Sequence, residues 1–295
     1  MSILRESAVA DDSNLDKMGA ISNLLVEKMI RTLVFAITLL VVHSIGAEPF
    51  VQDVPDLGTV DWSNYLIRTR GTGRLNLSLP MEVRREGAVD AATKDAFVKA
   101  LKLLSQLNYN SHLTVGGFLA ANDSLHVLIT DAVSKNLKIV SETYLSDGSI
   151  ELDVELPLLG PLMALLLPQV GAESSYSMGN IAQKEFTGVV IDARGLKLNP
   201  SLLPRVLDQA GTEVYGTGWA ARESAVTVGL CAWVKDSLDV NDERLGDAPL
   251  TLKADRVSGD NSTDLVIPDK DGGILHAPPK SRAVLSSCKF TILLN

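Results

Sequence analysis

After Asp147-Gly148 the apolar residues recur at every second position from Ile150 to Leu156, and before it Leu137–Tyr144 reads as a second, alternating strand. A period of two sends successive side chains to opposite faces of a strand, and glycine accepts the positive φ of a tight turn. The pattern predicts a β-hairpin over 137–156. Ile150, Leu152, Val154 and Leu156 form its buried face, while Glu151, Asp153 and Glu155 line the other. A flat strand holds alternate carboxylates ~7 Å apart, too far to share one ion, so the acidic row is expected to be a solvated sheet face.

A sheet with one apolar face needs a cover, and the preceding sequence supplies it. Ala96, Phe97, Ala100, Leu101, Leu104 and Leu107 fall at helical spacing and predict a helix over about 91–107. Phe118, Ala121, Leu125, Leu128, Ile129, Ala132 and Val133 predict a second over 118–135. Alternation from Tyr65 to Thr69 predicts a strand, with Gly71-Thr72-Gly73 expected to end it in a loop. Residues 60–169 therefore read as a small α/β sandwich, with helices on one face of an antiparallel sheet. The apolar run Pro157–Pro168 is expected to be a short helix begun by Pro161 that covers the core. The rival is a loop that contacts a partner or a membrane.

Gly171–Gln183 is small and polar, which places a linker at 170–185. Residues 186–295 read as a second, β-rich domain, giving an α+β chain overall. Gly188–Gly195 is expected to be a strand with a glycine turn. Arg205–Asp208 and Thr212–Gly216 are expected to pair as a hairpin, and Leu265–Asp269 with Asp271–Leu275 as a looser one. Further strands are expected at 283–285 and 289–294, and a helix somewhere in 222–239.

Before these domains lies an export signal. Leu33–Val42 is uncharged and apolar, Lys28 and Arg31 precede it, and the small residues Ser44-Ile45-Gly46-Ala47 follow. The run falls short of the ~20 residues of a membrane span, so cleavage after Ala47 is expected over retention as an anchor. Residues 29–47 would then be the signal peptide. Residues 1–28 carry Glu6, Asp11, Asp12, Asp16 and Glu27, too acidic for the start of a signal. Either translation starts at Met29 or these residues are a cytoplasmic extension.

Composition limits the partners. Hydrophobic residues make up 46% of the chain, enough for a packed core, and 27 basic against 36 acidic residues give a net charge of −9. Such a surface repels phosphate backbones, so no nucleic-acid partner is expected. In an exported protein Cys231 and Cys288 are candidates for a disulfide closing about 60 residues; the alternative is two buried thiols.

Catalytic patterns are not visible. Of the four histidines, His43 lies in the signal, and His112, His126 and His276 stand apart without metal-ligand spacing. No nucleophile elbow or phosphate loop is present, and no metal or cofactor is expected. Asp192 and Arg194 project to one side of a strand end, either as an ion pair or, less expected, as a ligand-binding pair. Asp208 beside Gln209-Ala210-Gly211 reads as turn chemistry.

Ile67–Gly73, the helix Ala92–Leu104 and Val140–Ser149, with its Asp-Gly turn, follow one another in an order that resembles the LPP-twenty-type bacterial envelope lipoproteins, which include flagellar FlgP, FlgO and FlgT. Gly188–Gly195 and Pro204–Gly216 resemble the C-terminal half of longer members. The chain departs from the pattern at Glu48, where a lipoprotein has cysteine, and in a first helix with fewer alanines than the family's, which carries Lys94, Lys99 and Lys102. The resemblance implies a structural or assembly role without enzymatic activity. The expectation is therefore a periplasmic envelope protein, associated with the outer membrane or flagellar motor, that binds an envelope protein or itself and keeps no membrane span after cleavage. The alternative is a ligand-binding module with its site between the two domains; an envelope hydrolase is disfavoured by the missing nucleophile–base pair.

Overall fold

The computed structural model describes residues 49–78, 80–168, 175–176, 184–236 and 243–295. The signal, the N-terminal extension and most of the linker lie outside these residues. Residues 47–295 form one compact unit, a mixed α+β structure with three sheets.

The first sheet runs in the order β1-β2-β3-β5-β4 and is antiparallel throughout. Its strands are β1 (Val51–Val54), β2 (Gly58–Asp61), β3 (Leu66–Arg74), β4 (Lys138–Tyr144) and β5 (Ser149–Pro157). β4 and β5 form the expected hairpin. Ile150, Leu152, Val154 and Leu156 are buried under helices α1 (Met81–Gln106) and α3 (Asp123–Asn136). Helix α2 (Val115–Leu119) separates them. The single helix expected over 118–135 is thus two, because the Asn122 side chain accepts the Leu125 N–H and caps a new start.

Gly71-Thr72-Gly73 does not end β3 in a loop. Both glycines lie within the strand, opposite Leu152 and Ile150. Their role is contact with α1, whose Ala88, Ala92, Ala96 and Ala100 are all buried along one stripe. A Cβ on Gly71 would sit 2.0 Å from the Ala92 carbonyl oxygen, and one on Gly73 would sit 1.9 Å from that of Ala88. The glycines form a notch that lets the alanine stripe touch the sheet backbone. Gly73→Ala should push the helix away and cost about 3 kcal/mol, the top of the usual overpacking range; urea denaturation measures it.

Pro157–Pro168 holds helix α4 (Pro161–Leu166), with Pro161 in its first turn and Leu162, Met163 and Leu166 buried. This run covers the core, as expected.

The second half is built on a sheet in the order β10-β6-β13-β9, with all neighbours parallel. It comprises β6 (Val189–Asp192), β9 (Ala232–Lys235), β10 (Leu250–Lys253) and β13 (Phe290–Leu294). A third sheet, β11-β12-β7-β8, contains β7 (Val206–Leu207), β8 (Glu213–Tyr215), β11 (Arg256–Ser258) and β12 (Asp264–Val266). β7 and β8 make the expected hairpin. The looser hairpin at 265–275 is not formed. Pro268 follows β12, and Asp269–His276 is helix α6, with Asp269 and Asp271 in the first turn, where the helix dipole favours them. Residues 283–285 also differ from expectation, since they lie in helix α7 (Ser281–Ser286). Helix α5 (Arg222–Val228) fills the front of the 222–239 stretch, and β9 follows it.

The two halves keep separate sheets but share one apolar core, running from Val60 to Leu294. Trp62 meets Trp233 edge to face, with ring centroids 6.3 Å apart. Tyr65 Oη donates to the Cys231 carbonyl at 2.7 Å, and Ser63 Oγ to that of Trp233 at 2.6 Å. Gly229 makes room, because a Cβ there would lie 2.7 Å from the Tyr65 ring. Backbone amides close the far side: Leu202 N donates to Asn108 O at 3.0 Å and Leu203 N to Tyr109 O at 2.9 Å. Main-chain polar groups buried at this junction therefore find partners.

Candidate functional site

The first sheet ends at β1 on one side and at β4 on the other, and the β4 edge is the feature least accounted for by the fold. Among the described residues β4 pairs only with β5, and all seven of its residues are exposed. Its outer main-chain groups are open to another strand. Ile139, Val140 and Tyr144 are each more than half exposed, and Leu145 follows them at 38%. The register against β5 shifts between Ile139 and Ser141, leaving Val140 as a bulge residue. That bulge sends Ile139, Glu142 and Tyr144 to the helix side and Lys138, Ser141 and Thr143 to the other. On the helix side the strand overhangs α1. Arg85 stacks on the Tyr144 ring at 5.0 Å and approaches Glu142 at 3.5 Å, and Tyr144 Oη donates to Glu142. The apolar edge is thus held in a fixed shape.

Next to this edge the outer sheet face carries a ladder of ion pairs. Arg68 bonds Glu155 at 2.8 Å and Asp61 at 3.0 Å; Arg70 bonds Asp153 at 2.6 Å and Glu151 at 3.4 Å. The Asp153 carboxyl is held below its ordinary range by Arg70 and then by Ser141. These pairs satisfy the half-exposed acidic row; those of Arg70 lie nearest the solvent and add little stability, whereas Arg68 also neutralises the buried Asp61. The row is a solvated face with its charges matched, as the alternation predicts.

Asp192 and Arg194 form the exposed ion pair at the end of β6. Arg194 Nε reaches Asp192 Oδ1 at 2.9 Å, its Nη2 reaches Oδ2 at 2.8 Å, and its Nη1 donates to the Asp236 carbonyl at 3.1 Å. Arg194 lowers the Asp192 pKa, and Asp192 raises that of Arg194. The guanidinium is committed to protein partners, which favours the ion-pair reading over the ligand-binding one.

Cys231 and Cys288 are not joined; both are buried free thiols. They precede the adjacent strands β9 and β13, among Tyr65, Tyr215 and Arg244. Burial pushes the Cys231 thiol up to about 12 and raises Cys288, so neither is a ready nucleophile. The histidines also stay apart. His112 Nδ1 lies 2.9 Å from Asp260, whereas His126 is exposed on α3. His276 stacks on Tyr176 and meets Trp219 at a tilt of 42°. Its Nε2 is 2.8 Å from the Val214 carbonyl, an acceptor, so that nitrogen carries the proton. Burial lowers its pKa. Asp208, at the β7 turn, accepts from Thr212 N and Tyr176 Oη. Among the described residues no group of three or more His, Cys, Asp and Glu could hold a metal, and no helix is long and apolar enough to cross a membrane.

One cluster escaped the sequence reading. Arg205 grips Asp264, which is 1% exposed, through Nε at 3.1 Å and through Nη2; Nη2 also reaches Ser111 Oγ at 3.0 Å. Asp264 Oδ1, Thr263 Oγ1 and Ser201 Oγ are buried nearby in the chain without partners. Glu213 belongs to the same field. Burial raises its pKa, assisted by Asp264 and opposed by Arg205 and the Gly218 amide. A carboxyl whose folded-state pKa is raised destabilises the fold once pH exceeds its unfolded-state value. Glu213→Gln should therefore stabilise the protein at neutral pH, and the gain should vanish as pH falls through the carboxylate range. Thermal melts across that range give the sign directly. The cluster lies at the seam between the halves, where its polar groups lock the fold.

The second half has a counterpart elsewhere: a family model for the second domain of Treponema pallidum Tp0624 matches residues 188–295. The matched stretch takes in every element from β6 to β13. A comparison with curated proteins gives no match.

Proposed function

We propose that this chain is a non-enzymatic assembly protein of the bacterial cell envelope, exported to the periplasm, that attaches to further copies of itself or to an envelope partner through the β4 edge. The observation that carries this reading is β4 itself: a seven-residue strand whose outer edge no described residue pairs, with four neighbouring apolar side chains in the open. Strand addition supplies main-chain hydrogen bonds and covers such side chains, and an edge of this kind is a liability unless it is used. The signal-like segment supports export, and the order of motifs in the first half supports kinship with envelope lipoproteins and an outer-membrane or flagellar-motor setting. The competing reading, a ligand site between the halves, requires a concave junction. Trp62, Tyr65, Trp233 and Tyr109 fill that junction instead.

Cell fractionation with in-cell cross-linking tests the proposal. The expected result is a periplasmic protein whose first residue is Glu48, cross-linked into species larger than one chain. The Ile139→Lys/Val140→Lys variant should be exported equally well but remain uncross-linked. Retention in the cytoplasm, or identical cross-linking of the variant, contradicts it.

A further inference from the structure

A second surface feature lies on the helical side of the first half, where α1, α2 and the start of α3 enclose a groove of about 390 Å³. That volume lies within the roughly 300–1,000 Å³ usual for small-molecule sites. The walls are Leu101, Leu104, Leu119, Ala120 and Ile129. Two hydroxyls also line it, but both are turned to their own helices. Ser105 Oγ donates to the Lys102 carbonyl at 2.7 Å, and Thr130 Oγ1 to that of His126 at 2.8 Å. The interior is therefore apolar in practice.

The rim is not. Lys102 and His126 both border the groove, one from α1 and one from α3. Among the described residues neither side chain has a hydrogen-bond or ion-pair partner. Lys102 acts on Asp95 through its charge, but that carboxylate is hydrogen-bonded to Lys99 Nζ at 2.8 Å and Thr72 N at 2.9 Å. The groove is thus lined by apolar side chains together with one lysine and one histidine whose side chains no described residue holds. Ammonium and N–H donors bind a carboxylate through short charge-assisted bonds, and apolar walls take the chain behind it.

We infer that this groove binds a free fatty carboxylate, with its chain against Leu104, Leu119 and Ile129 and its head group at Lys102 and His126. The site is separate from β4 and stands whether or not the chain assembles there.

Calorimetric titration with dodecanoate, below its micelle-forming concentration and at neutral pH, tests the inference. Dodecanoate should bind with a micromolar Kd. Acetate and 1-dodecanol should bind at least about tenfold more weakly, because each lacks one half of the recognition. Lys102→Glu should weaken dodecanoate at least about tenfold, while Lys102→Arg, which keeps the charge, stays within about threefold. Ala120→Trp, at an exposed wall position, should block the groove, and the melting temperature of each variant confirms its fold. The inference is overturned by dodecanoate that fails to bind below millimolar, by equal binding of 1-dodecanol, by unchanged binding in folded Lys102→Glu or Ala120→Trp, or by preference for dodecyl phosphate.

Discussion

Arg205→Met is expected to destabilise the protein by about 3–5 kcal/mol, the cost of stripping a buried charge of its partner. Asp264 is almost wholly buried, and its Oδ1 has no hydrogen-bond partner even in the intact protein. Among the described residues Oδ2 is held by Arg205 alone. Methionine matches the length of the arginine stem but offers no donor, so the carboxylate is left desolvated and unpaired. The same substitution removes the bond to Ser111 Oγ, which ties the loop after α1 to the second half. Adding Asp264→Leu should recover much of the loss, because an apolar pair of similar volume avoids the desolvation cost. Denaturant titration of wild type, single variant and double variant completes the cycle. If Arg205→Met changes stability by less than about 1 kcal/mol, Asp264 is not the buried, dependent charge described above.

Trp233→Ala should cost a comparable 3–5 kcal/mol. Trp233 is fully buried on β9, the edge strand of the parallel sheet, and its ring meets Trp62 from the first sheet. The truncation opens a cavity in the core that both halves share. It should therefore lower the stability of both, and unfolding should remain a single transition. Trp233→Phe should cost less, because the phenyl ring keeps most of the buried packing and leaves a smaller cavity. Hydrogen exchange separates the outcomes: loss of protection in the first sheet as well as the second is expected, and loss confined to β9 and β13 contradicts a shared core.

Local pattern was a reliable guide wherever one face is buried and one is wet. Strand β5 is of this kind, and so are the covering helix α4 and the part of α1 from 91 onward, although α1 begins at Met81, ten residues before the expected start. The misreadings arise where the cause lies elsewhere in the chain. Gly71 and Gly73 carry the signature of a turn, yet their reason is the Ala88–Ala96 stripe of a helix that passes within contact of the strand. The parallel sheet was not legible as such. Val189–Ile191 and Phe290–Leu294 are buried throughout, so they show apolar runs without alternation. Their pairing depends on chain separations of about a hundred residues. Helices α6 and α7 are short and contain glycine or β-branched residues, so propensity pointed elsewhere.

The candidate sites divide in the same way. Asp192 and Arg194 are two residues apart, and their pairing was visible. Arg205 and Asp264 are separated by 59 residues, and nothing in either neighbourhood signals the other. Cys231 and Cys288 were visible as a pair but not as buried free thiols, since thiol chemistry is set by packing. The β4 edge was visible as a strand; that it would be the last strand of its sheet depends on the order in which the others assemble.

Light scattering coupled to size exclusion, on the Ala47–Asn295 unit over a range of concentrations at physiological salt, is the most direct test of assembly through β4. Wild-type protein should show a mass above that of one chain, rising with concentration. Ile139→Lys/Val140→Lys should elute as a single chain with an unchanged unfolding midpoint, since both residues are exposed. Wild-type protein that stays a single chain at every concentration and joins no envelope complex, or a folded double variant that assembles as before, would contradict the account.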